Sequence, residues 1–192
     1  MLKKIVSSLP HTLILGVDPG TNILGFSLLD VQGDNYKLVV MDVMNLKSIS
    51  DPYRKLQTIY TRLQQTIREY QPDELAIEAP FFGKNVQSML KLGRAQGVAI
   101  TVAIMNEIPV FEYSPKKIKQ SITGNGNASK EQVAAMIGGI LAIKEQPEFF
   151  DATDAMAVAL CHHFQKGKPV SKGKSYSGWK DFITENPDRV KK

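Results

Sequence analysis

The chain is predicted to fold as an α/β domain on one mixed sheet, with helices on the sheet's faces. Two patterns predict this. Three β-rich runs follow one another within residues 13–46, separated by the Gly-containing turns PGTN and VQGDN, as in an antiparallel meander. From residue 52 onward, runs with helical spacing alternate with short apolar strands. With 192 residues, 43% of them hydrophobic and 22% charged, the chain has room for one sizeable core and not for two.

The elements follow in order. LILGVD (13–18) reads as a buried strand, ILGFSLLD (23–30) alternates apolar with small or polar residues, and YKLVVMDVMNL (36–46) is a third strand. Residues 52–70 place Tyr53, Leu56, Ile59, Tyr60, Leu63, Ile67 and Tyr70 at helical spacing. Asp51 is suited to cap that helix and Pro52 to begin it. ELAIE (74–78) is a short strand closed by Pro80, and residues 84–108 form a long helix in which Gly93 and Gly97 permit close packing on one face. VFEYSP (110–115) is a strand, and residues 114–123 a helix with Pro115 in its first turn. GNGN (124–127) is a loop whose amides can face a phosphate. Residues 130–143 form a helix behind a Ser129 cap, and residues 151–164 form the last, apolar helix. On that helix Cys161 is expected in the core, and one of His162 and His163 in solvent. Residues 1–11 are expected as an N-terminal extension, 12–164 as the folded domain and 165–192 as a basic, flexible tail.

Charge is unevenly spread. The net charge is +5, but residues 81–144 and 165–192 are each strongly basic, while residues 145–164 hold four acids and no lysine or arginine. An acidic segment between basic ones suits a protein that holds divalent cations against a nucleic-acid backbone, and equally a solvated surface of mixed charge. No apolar stretch reaches the roughly 18–20 residues that span a bilayer. MLKKIVSSLPHT lacks the apolar region of a signal peptide, and the single cysteine suits a reducing cytoplasm.

Four carboxylates stand out. Asp18 and Glu78 each end an apolar strand just before a turn containing Pro or Gly, in LILGVD-PGT and ELAIE-AP. The carboxyl ends of sheet strands are where α/β folds place their sites. A charge beside a core costs several kcal/mol unless compensated, and a metal ion, a phosphate or a structural partner would each compensate it. Asp151 and Asp154 stand three residues apart at a helix start, so they share a face, although acids there also cap helices and complement the dipole. An oxygen-only ligand set selects Mg²⁺ or Mn²⁺ over zinc, and a pair of such ions about 4 Å apart is a common device for phosphodiester hydrolysis.

The motifs ILGVDPGTNILGF, LAIEAPFFGKNVQSMLKLGRAQGVA, EYSPKKIKQSITGNGNASKEQV and DATDAMAVALCHH occur in that order, from Leu13 to about Phe164. In this the chain resembles the RuvC family of Holliday-junction resolvases, within the ribonuclease H-like superfamily. The resemblance covers roughly four fifths of the chain. It implies a ribonuclease H-like mixed sheet, three antiparallel strands then parallel strands, with helices on both faces. It implies a metal-binding, catalytic tetrad of Asp18, Glu78, Asp151 and Asp154.

The resemblance further implies a homodimer that binds a four-way DNA junction and nicks two strands of like polarity, in homologous recombination and DNA repair. Two Mg²⁺ ions per site, replaceable by Mn²⁺, would activate water and stabilise the leaving oxygen, giving 5′-phosphate and 3′-hydroxyl ends. Phe81 corresponds to an aromatic that stacks on a base, and Lys119 and Lys130 to basic positions near the scissile phosphate. Lys84, Asn85, Lys91, Arg94, Lys116 and Lys117 are further candidate DNA contacts. A branch-migration complex of RuvA and RuvB type proteins is the implied partner. A nuclease of the same fold acting on other nucleic acid is the alternative; an actin-like ATPase would need a second phosphate-binding half that the chain is too short to hold.

Overall fold

The computed structural model of the chain describes residues 11–33, 35–80, 85–143 and 150–166. The three leading runs form β1 (His11–Asp18), β2 (Ile23–Gln32) and β3 (Asn35–Asn45). They pair antiparallel, with Asp18 opposite Gly25, and the register shifts between Leu28 and Leu29 where β2 meets β3. Strands β4 (Glu74–Glu78) and β5 (Val110–Tyr113) add in parallel, so the order across the sheet is β3-β2-β1-β4-β5. The switch to parallel pairing follows from the connections. Helix α1 (Pro52–Tyr70) carries the chain from β3 to β4 and α2 (Val86–Met105) from β4 to β5, the crossovers that parallel strands need. Three helices complete the fold: α3 (Pro115–Thr123), α4 (Lys130–Ile140) and α5 (Phe150–Lys166).

Local chemistry sets the helix starts. Asp51 accepts a hydrogen bond from the Tyr53 amide with Pro52 in the first turn, Ser114 caps α3 ahead of Pro115, and Ser129 and Gln132 form a reciprocal capping box on α4. Strand periodicity then sorts the core into two layers. Leu15, Val17, Leu28 and Ile77 face α1 and α2, packing with Ile59, Leu63, Ala99 and Val102. Ile14, Leu29 and Ala76 face the other way, against Ile118, Ile137, Met156 and Leu160 of α3, α4 and α5. By the same alternation Asp18 and Glu78 lie on the α5 face.

Helix α5 lies unusually close to β1 and β2. A Cβ on Gly16 would sit 2.3 Å from the Ala155 carbonyl oxygen, and one on Gly25 would sit 1.9 Å from that of Asp151. These two positions can only be glycine while the helix stays where it is.

Several expectations are corrected. Gly93 and Gly97 are exposed, and a Cβ at either would meet nothing within 4 Å, so no described element packs against them. Tyr53 and Tyr60, 74% and 46% exposed, lie outside the buried stripe of α1, which is Ile59, Leu63 and Ile67. His162 is buried and His163 half-buried, so neither histidine stands free in solvent. Strand β1 begins at His11 and α5 runs to Lys166, where Lys166 meets Glu74, so both ends of the fold lie slightly outside residues 12–164. Helices α2 and α4 end earlier than their apolar spacing suggests, at Met105 and Ile140. Residues 1–10 and 167–192 lie outside the described residues.

The close approach of α5 predicts that Gly16→Ala destabilises the fold by about 1–3 kcal/mol, because the added methyl must displace backbone. Urea titration should show a lower midpoint with an unchanged slope. An unchanged midpoint would mean that α5 shifts at no cost.

Candidate active site

Parallel pairing of β1 with β4 brings the carboxyl ends of both strands to one edge of the sheet. Asp18 and Glu78 stand there side by side, ahead of the turns at Pro19 and Pro80. The first turns of α5 lie over β2 at Gly25, directly across from Asp18, which brings Asp151 and Asp154 to the same place. A cavity of about 200 Å³ results, lined by Asp18, Glu78, Pro115, Ile118, Lys119, Lys130, Val133, Asp154 and Ala157. Two helices supply the lysines: Lys119 comes from α3 and Lys130 from the first turn of α4. The Lys130 Nζ donates a hydrogen bond to Asp154.

The electrostatics show how costly the arrangement is. Burial holds the Asp18 carboxyl well above the usual carboxylate range, and the neighbouring Glu78 and Asp154 add to it against an opposing pull from Lys130. Burial and then Asp154 push Glu78 up to about 7, opposed by Lys130 and Lys119. Burial works against the charge on Lys130, but its hydrogen bond to Asp154 and the fields of Asp154, Asp18 and Asp151 outweigh that and raise its pKa. Asp151 does not line the cavity, yet its charge is felt by both Asp18 and Lys130.

Four carboxylates without thiolate or imidazole form a hard donor set, and partly buried acids held above their ordinary pKa gain most from a divalent cation. The residues present therefore fit such an ion in chemistry and charge. Among the described residues no three carboxylates close on one point as a formed metal site, and Lys130 stands against Asp154.

Other candidate residues scatter. Phe81 and Lys84 lie outside the described residues. The Asn85 side-chain oxygen caps α2 by accepting from the Ser88 amide. Lys116 and Lys117 are exposed on α3 and do not line the cavity, and Arg94 lines a different cleft. The GNGN loop does not present its amides outward. Gly124 donates to the Gln120 carbonyl, Asn125 to Thr123 Oγ1, Gly126 to Gln120 Oε1 and Asn127 to Asn125 Oδ1.

One group escaped sequence reasoning. His162 of α5 lies between Tyr113 of β5, 2.7 Å from its Nδ1, and Glu74 of β4, 2.8 Å from its Nε2; Glu74 also takes Lys166 at 2.5 Å. Burial lowers the His162 pKa against the pull of Glu74, and burial pushes Tyr113 up to about 12. The neutral imidazole thus accepts from the tyrosine hydroxyl and donates to Glu74. The network ties α5 to the two strands beside the acids, since Glu74 shares β4 with Glu78 and Tyr113 pairs with Glu78. A histidine inside an otherwise apolar helix was the signal, because it must find partners when buried.

With this geometry in place, likeness to known proteins decides the family. The family model described as "Crossover junction endodeoxyribonuclease RuvC" matches residues 14–162. The chain belongs to the RuvC family. The crossover junction endodeoxyribonuclease RuvC of Cytophaga hutchinsonii is 59% identical over 179 residues, covering 93% of this chain and 88% of that protein. The RuvC of Bacteroides fragilis is 53% identical over 189 residues, covering 97% and 100%. Among solved structures, T. thermophilus RuvC in complex with Holliday junction substrate matches at 32% identity with a TM-score of 0.76, covering 81% of this chain and 95% of that one. The yeast mitochondrial Holliday junction resolvase Ydc2 shares the fold, with a TM-score of 0.60 at 15% identity. The RuvC neighbours carry the ribonuclease H-like fold, and the mixed sheet here agrees with it.

The raised Glu78 pKa predicts a pH dependence in metal-free protein. A carboxyl whose folded pKa lies above its unfolded 4.5 contributes stability that is present below pH 4.5 and is lost as pH rises through about 7. In chelator, the gain in thermal midpoint of Glu78→Gln over wild type should therefore grow between pH 5 and pH 8. A constant difference would show that Glu78 titrates normally.

Proposed function

We propose that the chain is a structure-selective endonuclease that resolves four-way DNA junctions by paired nicks, in homologous recombination and repair. The observation that carries this reading is the cavity itself, where Asp18, Glu78 and Asp154 meet Lys119 and Lys130 at the edge of a sheet of the RuvC family. The RuvC of T. thermophilus has been solved with a Holliday junction substrate, which supports the same substrate here.

Asp18, Glu78, Asp151 and Asp154 would hold the divalent cations on which the family's chemistry depends, two Mg²⁺ per site with Mn²⁺ able to substitute. Bound there, the ions supply charge neutralisation and an activated water for in-line attack on the phosphodiester. The protein's own groups supply position and charge. Lys119 and Lys130 line the cavity and would receive the scissile phosphate, Lys130 giving up its contact with Asp154 to do so. The two buried acids must lose their protons to bind a cation, so binding should be weaker at low pH. Lys116 and Lys117 on α3, with Arg94, Lys84 and the Asn85 amide group, are candidate backbone contacts, and Phe81 is a candidate base-stacking residue.

A homodimer is supported by the outer face of α2. Val86, Leu90, Ile104 and Met105 are 54–74% exposed, and Gly93, Gly97 and Thr101 fill the same stripe with small residues. A second copy laid along this helix would cover it. Branch-migration proteins of RuvA and RuvB type would deliver the junction. The same reading implies a cytoplasmic setting. Among the described residues no helix is long and apolar enough to cross a membrane.

Asp18→Asn is expected to abolish cleavage in Mg²⁺ while leaving junction binding intact or tighter, since a ligand is lost and the basic surface is kept. A cleavage time course beside a gel shift, offering a mobile junction, a linear duplex and an RNA–DNA hybrid, tests both activity and substrate. Near-wild-type cleavage by the variant would remove Asp18 from the site, and preference for duplex or hybrid would overturn the junction reading. Phe81→Ala is expected to slow junction cleavage roughly 5- to 150-fold, the equivalent of 1–3 kcal/mol of stacking, with little change in denaturant midpoint. A stability loss of about 3–5 kcal/mol with normal activity per folded molecule would place Phe81 in the core instead.

A further inference from the structure

Lys119 and Lys130 are eleven residues apart, yet both line a cavity of about 200 Å³. Fully extended, that much chain spans on the order of 36 Å. Core packing through Ile118, Ile122, Val133 and Ile137 sets where α3 and α4 lie. Lys130, however, is the first residue of α4, so its place also follows from the segment that leads into it. That segment, GNGNAS (124–129), holds two glycines, and Gly124 has φ +75°. Such a composition leaves a chain free to move unless its polar groups are occupied.

Here they are occupied. Beyond the four amides accounted for above, Ala128 donates to the Asn125 carbonyl and Ser129 to Gln132 Oε1, so every backbone amide from 124 to 129 is taken within the hairpin. Two side chains of α3 supply the contacts that reach across it. Gln120 straddles the loop: its Nε2 donates to the Gly124 carbonyl, and its Oε1 accepts from the Gly126 amide at 3.0 Å. The Thr123 hydroxyl has the Lys119 carbonyl at 2.9 Å and the Asn125 carbonyl at 3.0 Å as acceptors, and itself accepts from the Asn125 amide at 3.1 Å. The loop backbone also lies directly on α3. A Cβ on Gly126 would sit 2.8 Å from Lys116 Cγ and 3.2 Å from the Lys116 carbonyl oxygen.

Neither Gln120 nor Thr123 lines the cavity, so neither reaches the phosphate that the lysines would receive. We propose that Gln120 and Thr123 are positioning residues for phosphodiester cleavage: by locking the α3–α4 linker they hold Lys119 and Lys130 at one fixed separation around the scissile phosphate. The inference rests on the junction reading above. Lys130 depends on this support most. Once it gives up Asp154, the linker and the Ser129–Gln132 capping box are what continue to fix the first turn of α4. Misplacing a catalytic group by about 1 Å can cost up to roughly a hundredfold in rate, so even a small loosening of the linker is readable.

The test compares three variants of the full chain. Gln120→Met keeps the side-chain length and removes both hydrogen bonds, Thr123→Val keeps the shape and removes the hydroxyl, and Thr123→Ser keeps the hydroxyl. Amide hydrogen exchange over residues 124–129 reads the linker. Single-turnover cleavage of a mobile junction in Mg²⁺ at saturating protein, corrected for folded fraction, reads the chemical step, and junction affinity in chelator reads binding. Gln120→Met and Thr123→Val should exchange faster in the linker and cleave roughly tenfold more slowly, with wild-type junction affinity. Thr123→Ser should match wild type in all three. Unchanged exchange in Gln120→Met, faster exchange with an unchanged corrected rate, a loss in affinity instead of rate, or a Thr123→Ser as slow as Thr123→Val overturns the positioning role. A wild type that leaves the mobile junction uncut overturns the junction reading itself, and no variant is needed to see that.

Discussion

The site depends on how closely α5 lies against the backbone of β1 and β2. Gly16 and Gly25 leave no side chain between helix and sheet, and the helix backbone at Ala155 and Asp151 occupies the space their methyls would take. That approach fixes the height of Asp151 and Asp154 above the strand end that carries Asp18. Buried contacts all along α5, from Ala152 to His162, then hold it in place, and the Glu74–His162–Tyr113 network ties it to β4 and β5. A helix one side chain farther out would leave the acids as two separated pairs.

Bringing these acids together has an electrostatic cost that the surroundings only partly offset. Burial and mutual repulsion raise Asp18 and Glu78, and Lys130 offsets part of this through its hydrogen bond to Asp154. Such frustration suits a centre that is to receive cations, because neutralising ions gain what the apo state lacks.

Much of this was legible in the sequence. Asp18 and Glu78 announced themselves by ending apolar strands before turns, and that rule held because parallel pairing puts both ends at one edge. The caps Asp51 and Ser129 were equally readable, because capping is local chemistry. What periodicity could not see was tertiary. Tyr53 and Tyr60 fit the helical spacing of α1 yet face outward, because the stripe that meets the sheet is narrower than the apolar pattern. Gly93 and Gly97 looked like packing glycines but face away from every described element. The partners of His162 lie 49 and 88 residues away in sequence, so no local pattern could name them. The GNGN loop has the composition of an anion nest, but its amides are taken by Gln120, Thr123 and Asn125.

The central claim is that the raised acids at the sheet edge form a divalent-cation site. Proton release on Mg²⁺ binding tests it most directly, measured by calorimetry at pH 6.5 in two buffers of different ionisation enthalpy. Displacement of the Glu78 proton predicts release of up to about one proton per protein, falling in Glu78→Gln. Binding of Mg²⁺ without proton release at that pH, or with equal release in Glu78→Gln, would contradict it.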